Sequence, residues 1–256
     1  GIRDDLVTGG QTCALPIFTK YISINSTVER INGDIFGEYT KSGITEKIDA
    51  CKVLSPTVPS KIVAVGKNYI DHAKELGGEI PNNPIIFIKP PTTIIANEED
   101  IIYPSISNRV DYEGELAVVI KKKARNVKKS EAKNYILGYT CLNDVTARDI
   151  QTLDGQWTRA KCFDTFAPVG PIITDEIDPD NVYIETLLNG EVKQSSNTSM
   201  MIWKVDELIE FISAVMTLNP GDIITTGTPS GIGPMKKGDR LEVRIEGIGS
   251  LVNFVK

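Results

Sequence analysis

Around residue 115 the chain carries two patterns back to back. Acidic side chains fall on alternate positions (Asp111, Glu113 and Glu115), and the unbroken apolar run Leu116, Ala117, Val118, Val119 and Ile120 comes directly after them. A short run of this kind reads as a buried β-strand. Extended backwards, it gives one strand whose side chains alternate, which sets the three acids on a single face. Neighbours two residues apart along a strand are roughly 7 Å from each other. At an effective dielectric of about 20, two unit charges at that spacing repel by about 2.4 kcal/mol. A half-buried strand tolerates such a set only against positive charge, and an oxygen-ligated cation is the simplest source. On this stretch alone, a solvated acidic strand end stays open as the other reading.

The remaining pattern is mostly β-like. Residues 21–24 alternate, and residues 27–31 lead into Asn32-Gly33, a hairpin turn signal, with a returning segment over 34–39. A further short element reaches Val53 and Leu54 before a Ser- and Pro-rich linker at 55–60. Residues 61–65 and 85–88 read as buried strands. Residues 68–76 read as a short helix stopped by Gly77 and Gly78, and a loop rich in Gly, Pro and Asn, able to move, continues to residue 84. Asn189-Gly190 marks a second hairpin, and Leu241, Val243 and Ile245 alternate near the C-terminus. The longest helical pattern covers 205–218, where Leu208, Ile209, Ile212, Val215 and Met216 form one apolar stripe, a core face rather than a cofactor site. Neither an internal repeat nor a low-complexity tract is present. The sum is a β-rich α/β fold with many short strands, not a doubly wound sheet.

Residues 1–18 do not join smoothly to the rest of the chain and read as a non-native leader, of the kind that translated adapter sequence leaves. Residues 19–58 are expected to form a small N-terminal β-containing domain, and residues 59–256 the main domain.

Composition narrows the chemistry. The 256 residues carry 28 basic and 34 acidic side chains, a net charge of −6, which disfavours nucleic acid or an anionic membrane as the main partner. No apolar run approaches the ~20 residues of a membrane span. There is no basic-then-apolar secretory leader, so the cytoplasm is the expected location. The four cysteines (Cys13, Cys51, Cys141, Cys162) show no C-x-x-C spacing, against both a zinc site and a disulfide framework. The one histidine, His72, excludes a multi-histidine metal site within the chain. A metal would be held by carboxylates, which favours Mg²⁺, Mn²⁺ or Ca²⁺ over Zn²⁺ or Cu²⁺.

Candidate chemistry gathers at few places. His72 and Glu75 are three apart on the short helix and face the same way; a carboxylate there holds the imidazole tautomer and raises its basicity, although a surface contact fits equally well. Asp144 comes after an apolar stretch and can add a carboxylate to the cation. Arg148 and Gln151 come next at a helical step, and an arginine fork near a metal suits a substrate carboxylate. The competing reading makes Asp144 a helix cap and Arg148 and Asp149 surface residues. Lys161 can reach a substrate oxygen or lie on the surface. The turn over residues 225–234 offers backbone N–H groups and the Thr228 hydroxyl to an anion, but lacks the lysine and spacing of a phosphate loop.

Taken together, these blocks resemble the fumarylacetoacetate hydrolase superfamily from Lys61 to the C-terminus, and within it the acylpyruvase and 5-carboxymethyl-2-hydroxymuconate isomerase/decarboxylase branch. The resemblance rests on Val65-Gly-Lys-Asn-Tyr-x-x-His72-x-x-Glu75, Phe87-x-Lys-Pro90, Asp111-Tyr-Glu113-x-Glu115, Asn143-Asp144-x-Thr-Ala-Arg148-Asp and Lys161-x-Phe-Asp-Thr. To these it adds Asn189-Gly-Glu191 and Gly221-Asp-x-Ile-x-Thr-Gly-Thr228-Pro-x-Gly-x-Gly. It implies a rolled mixed β-sheet and a homodimer. It also implies Mg²⁺ or Mn²⁺ held by Glu113, Glu115 and Asp144, with Asp111 outside the ligand set. By the same likeness His72 and Glu75 are an acid–base pair on a mobile lid, Lys161 and Gln151 are catalytic, and Arg148 and Thr228 bind a small-molecule 2-oxo acid substrate. The activity implied is metal-dependent hydrolysis of the C–C bond of 2,4-dioxo acids through a stabilised enolate. Isomerisation, tautomerisation or decarboxylation of related 2-oxo or 2-hydroxydienoic acids is the alternative.

Overall fold

A computed structural model of the protein describes residues 27–47, 53–75, 77 and 81–256. The expected leader, the alternating residues 21–24, part of the short element before Val53 and part of the 77–84 loop lie outside the described residues.

Thr27–Gly33 and Tyr39–Lys47 pair as an antiparallel hairpin. Asn32 and Gly33 are not its turn: they stay in the ladder opposite Thr40 and Tyr39. The chain reverses over 34–38 instead, where Phe36 N donates to Asp34 Oδ1 at 2.9 Å and makes the bend locally favourable. The second hairpin falls where the pattern places it. Tyr183–Leu188 and Glu191–Asn197 are joined by Asn189 and Gly190, both at positive φ, as a tight two-residue turn requires.

The main body is a curled mixed β-structure. Its largest sheet runs in the order Ile85–Lys89, Ile62–Gly66, Ile223–Thr225, Gly114–Ile120, Ile136–Asn143, Ala167–Thr174 and Ile94–Ile95. Two of its pairings are parallel, Ile62–Gly66 with Ile223–Thr225 and Ala167–Thr174 with Ile94–Ile95, and the others are antiparallel. A second sheet orders Glu191–Asn197, Tyr183–Leu188, Arg240–Ile245, Gly249–Val255 and Asp100–Ile101. A small third one joins Thr146–Ala147, Val110–Tyr112 and Gly233–Pro234.

The strand Gly114–Ile120 explains its own apolar run. Leu116, Val118 and Ile120 enter a core with Leu208, Ile209 and Ile212 of the helix Val205–Val215 and with Ile184, Val243 and Ile245 of the second sheet. Ala117 and Val119 enter another core with Ile62, Leu142, Val169 and Ile223. Both faces are covered, so no polar alternation is tolerated there. The long helix is shorter than its stripe suggests. It ends at Val215, which is 56% exposed, and Met216 is already extended. Ser213 is buried instead, its hydroxyl accepting from Val127 N at 2.9 Å.

The acidic stretch is not one strand. Val110–Tyr112 and Gly114–Ile120 belong to different sheets, and Glu113 sits at the joint between them. Alternation does not carry across a change of sheet, so Asp111 does not join Glu113 and Glu115. It turns to Arg109 and Arg148.

Candidate active site

Two neighbouring strands bring three carboxylates together. Gly114 and Asn143 are paired, and the residues flanking them on the open side are Glu113 and Asp144. Glu113 N donates to Asn143 Oδ1 and Asp144 N to Glu113 O, each at 2.8 Å, which locks the two positions. Glu115 lies one step into the strand, and its Oε2 accepts from Gly227 N at 2.7 Å. Gly227 has φ +90°, and a Cβ there would lie 2.8 Å from Asn68 Cβ, so only glycine lets the backbone come this close. Carboxylate oxygens of Glu113, Glu115 and Asp144 lie within 4.8 Å of one another, and all three residues are buried. Three hard oxygen donors on rigid elements suit a divalent cation. The acidic triad fits a metal ion.

Cations pack around this triad. Arg148 opens the helix Arg148–Asp154; its Nε donates to Asp111 Oδ2 at 2.9 Å, Nη1 to Gln151 Oε1 at 2.6 Å, and Nη2 pairs with Glu113. Arg148 is buried and Ala147, not Asp144, stands at the helix N-cap, so the reading of Asp144 as a cap and Arg148 as surface is set aside. Lys161, also buried, donates to Glu113 Oε2 at 2.7 Å and to Asp144 Oδ2 at 2.6 Å. A further cation stands in the Phe87-x-Lys-Pro90 block, where the sequence assigns it no role. Lys89 has no exposed surface, ion-pairs with Asp144 and donates to Phe166 O at 2.8 Å.

These neighbours split the triad electrostatically. Burial disfavours a charged Glu113, but Lys161 and Arg148 outweigh it and hold the carboxyl well below the usual range. For Glu115, burial and the adjoining charges of Asp144 and Glu113 push the carboxyl well above it. Burial also works against the Lys161 ammonium, yet Asp144 and Glu113 raise it overall, so it stays protonated. Counting Asp111, four buried carboxylates face three buried cations (Lys89, Arg148, Lys161), and Glu115 is the one left without a cation of its own among the described residues.

His72 approaches from the helix Ile70–Glu75. It is 4% exposed, and its Nδ1 lies 3.0 Å from Glu75 Oε2. Glu75 Oε1 in turn accepts from Gly231 N at 3.0 Å, clipping the helix to the loop after Thr228. Asn68 anchors the helix start: its Nδ2 donates to Thr226 O at 2.7 Å and to Trp203 O at 3.0 Å, and Oδ1 accepts from Trp203 N at 2.8 Å. Thr228 lines the cavity, but its hydroxyl proton is committed to Gly114 O at 2.9 Å while Gln194 Nε2 donates to it at 2.8 Å. All the candidate residues except Glu75 line one cavity of about 210 Å³, closed on one side by Phe87 and Trp157.

Residues 61–256 match the family model described as fumarylacetoacetate (FAA) hydrolase C-terminal. The chain belongs to the fumarylacetoacetate hydrolase family. Among solved structures of the family, the 5-carboxymethyl-2-hydroxymuconate delta-isomerase from Mycobacterium smegmatis superposes with a TM-score of 0.85 at 44% identity, covering 90% of each chain. The fumarylpyruvate hydrolase from Pseudomonas aeruginosa, in complex with Mn²⁺ and pyruvate, gives 0.73 at 31% identity, covering 76% of this chain and 88% of that one. A mitochondrial oxaloacetate tautomerase of Homo sapiens is 43% identical over 211 residues, 78% of this chain and 67% of its own length. The family thus spans isomerases, tautomerases and hydrolases. Among the described residues no helix is long and apolar enough to cross a membrane.

Proposed function

We propose that this protein is an enzyme that moves a proton between the keto and enol forms of small 2-oxo acids, with Mg²⁺ or Mn²⁺ held by Glu113, Glu115 and Asp144. One observation carries the reading: a buried carboxylate triad and the buried His72, whose Nδ1 is paired with Glu75 just outside, share the same small cavity. A divalent cation bound there supplies Lewis-acid stabilisation of charge on the 2-oxo group. The chain's own residues do the rest. With Nδ1 turned to Glu75, Nε2 of His72 is the atom that takes a proton from the carbon beside the 2-oxo group and returns it. The Lys161 ammonium stabilises the enol oxygen, and the Arg148 guanidinium, aimed with Gln151, binds the substrate carboxylate.

We favour isomerisation or tautomerisation, since relatives with those names are 43–44% identical to this chain over the residues they match. Hydrolysis of 2,4-dioxo acids is the second reading, favoured by the fumarylpyruvate hydrolase likeness. In that case His72 activates a water that attacks the C4 carbonyl, the C3–C4 bond breaks, and the pyruvate enol is reprotonated. NMR in D₂O separates the two. Metal-dependent deuterium exchange at C3 of oxaloacetate, with acetylpyruvate left uncleaved, supports the tautomerase. Acetate plus pyruvate from acetylpyruvate establishes the hydrolase. If neither result is obtained with Mg²⁺ or with Mn²⁺, the proposal is overturned. His72→Ala is expected to lower the rate about 10²–10⁴-fold while Mn²⁺ binding, followed by calorimetry, is retained.

A further inference from the structure

Asp111 is fully buried and takes no part in the cavity wall, which Arg148 shares with Lys67, Thr152 and Trp157. The proton transfer assigned to His72, Lys161 and Arg148 makes no use of it. It lies on Val110–Tyr112, the middle strand of the small third sheet, paired with Thr146 on one side and Pro234 on the other. Its carboxylate collects N–H groups from two arginines. The exposed Arg109 donates through Nε to Oδ1 at 2.9 Å and through Nη2 to Oδ2 at 3.1 Å. Arg148 donates through Nε to Oδ2 at 2.9 Å. The backbones of the two arginines are tied as well. Arg148 N donates to Arg109 O at 2.8 Å, and Asp149 accepts from Ser107 Oγ and from Asn108 N, each at 2.7 Å. These bonds clasp the start of the helix Arg148–Asp154 to the loop before the strand.

A guanidinium held by fixed acceptors meets its ligand already aimed, and little rotamer freedom is left to lose on binding. For Arg148 those acceptors are Asp111 at Nε, Gln151 at Nη1 and Glu113 at Nη2. Glu113 also belongs to the carboxylate triad, so a bound cation competes with Arg148 for it. Asp111 lies outside the triad and stays with the arginine. We propose that Asp111 is a positioning residue: it fixes the Arg148 guanidinium in the orientation that receives a substrate carboxylate, and keeps it there when a cation engages Glu113. The inference rests on the 2-oxo acid reading of the site. An asparagine would fill the same space, but it offers one acceptor oxygen and turns an amide N–H₂ toward a guanidinium.

The test follows pyruvate binding by calorimetry on the full chain loaded with Mn²⁺. Asp111→Asn should still bind Mn²⁺ and should weaken pyruvate by on the order of tenfold. Added to Arg148→Ala, where the guanidinium is already gone, Asp111→Asn should cause no further loss; a residue with a merely structural role would not give that result. Arg109→Gln, at an exposed position, loosens the hold on Asp111 and should show the same loss in smaller measure. Pyruvate bound equally by the parent and Asp111→Asn, or an equal further loss on the Arg148→Ala background, overturns this inference and leaves the 2-oxo acid reading standing. So does, where Asp111→Asn fails to fold, an Arg109→Gln variant that binds pyruvate as the parent does. A parent protein that binds Mn²⁺ but not pyruvate overturns the 2-oxo acid reading and this inference with it.

Discussion

Lys89 has no contact with solvent, and burial pulls its ammonium below the ordinary lysine range even with Asp144 alongside. A buried charge of this kind is costly unless paired, and its partner becomes costly in turn when the pair is broken. Lys89→Met should therefore lower the unfolding free energy by about 3–5 kcal/mol, measured by urea denaturation. Saturating Mn²⁺ should return part of that loss, because it supplies positive charge to the same carboxylates. An equal Mn²⁺ increment in parent and variant would show that Lys89 does not share in balancing the triad. The role of Lys89 is not legible in the sequence. Its partner is 55 residues away, and a lysine before Pro90 reads as an ordinary strand end. Glu113, Glu115 and Asp144 are legible because acids beside apolar runs demand an explanation, and the motif spacing supplies one. Asp111 fits the same parity and misleads, since no local pattern marks the change of sheet at Glu113.

Among the elements, the strand Ile62–Gly66 that leads to Lys67 and the His72 helix is held at its start by Asp222. Ser60 N and Oγ donate to Asp222 Oδ1 at 2.9 Å and 2.7 Å, Lys61 Nζ pairs with Oδ2 at 2.5 Å, and Asn219 N donates to Oδ2 at 2.8 Å. Burial alone would raise this carboxyl, but the bonds from Asn219, Lys61 and Ser60 outweigh it and hold it below the usual aspartate range. A folded-state value below the unfolded one, about 3.9, makes the stabilisation fully present above that pH and lost as pH falls through the folded value. Asp222→Asn should cost about 1–3 kcal/mol at neutral pH, and the gap to the parent should narrow as denaturation is repeated in increasingly acidic buffer. A gap that does not change with pH would mean that the charge on Asp222 contributes nothing. Elements with a local signature, such as the Asn189-Gly190 turn and the core stripe of Leu208, Ile209 and Ile212, are readable in advance. Those set by long-range pairing are not: Asn32-Gly33 has the same turn signal, yet strand pairing absorbs it.

For the molecule as a whole, the surplus of buried negative charge predicts that a divalent cation and folding reinforce each other. At about 100 times its dissociation constant, a bound ion adds about 2.7 kcal/mol. In a chain of this size that corresponds to a melting shift of about 5–10 °C, reversed by a chelator. Glu113→Gln should abolish most of that shift, and a full shift in the variant would remove Glu113 from the cation site. At this scale the sequence identifies the family through many ordered blocks but leaves the reaction open. The residues in those blocks suit enol chemistry of several kinds, and they leave open what a substrate's tail would meet along the cavity wall that holds Trp157.

That wall and the carboxylate strand have opposite evolutionary prospects. Gly114–Ile120 is packed on both faces, so almost any drift in its side chains damages a core, and the inner end of the cavity is in effect frozen. Thr152 stands instead on the short helix Arg148–Asp154 beside Leu153, which is 77% exposed, Trp157 caps the next helical turn Thr158–Lys161, and Lys67 stands beyond the end of its strand. New specificity can be sampled there without endangering the scaffold, which makes those few positions the natural place to build a library.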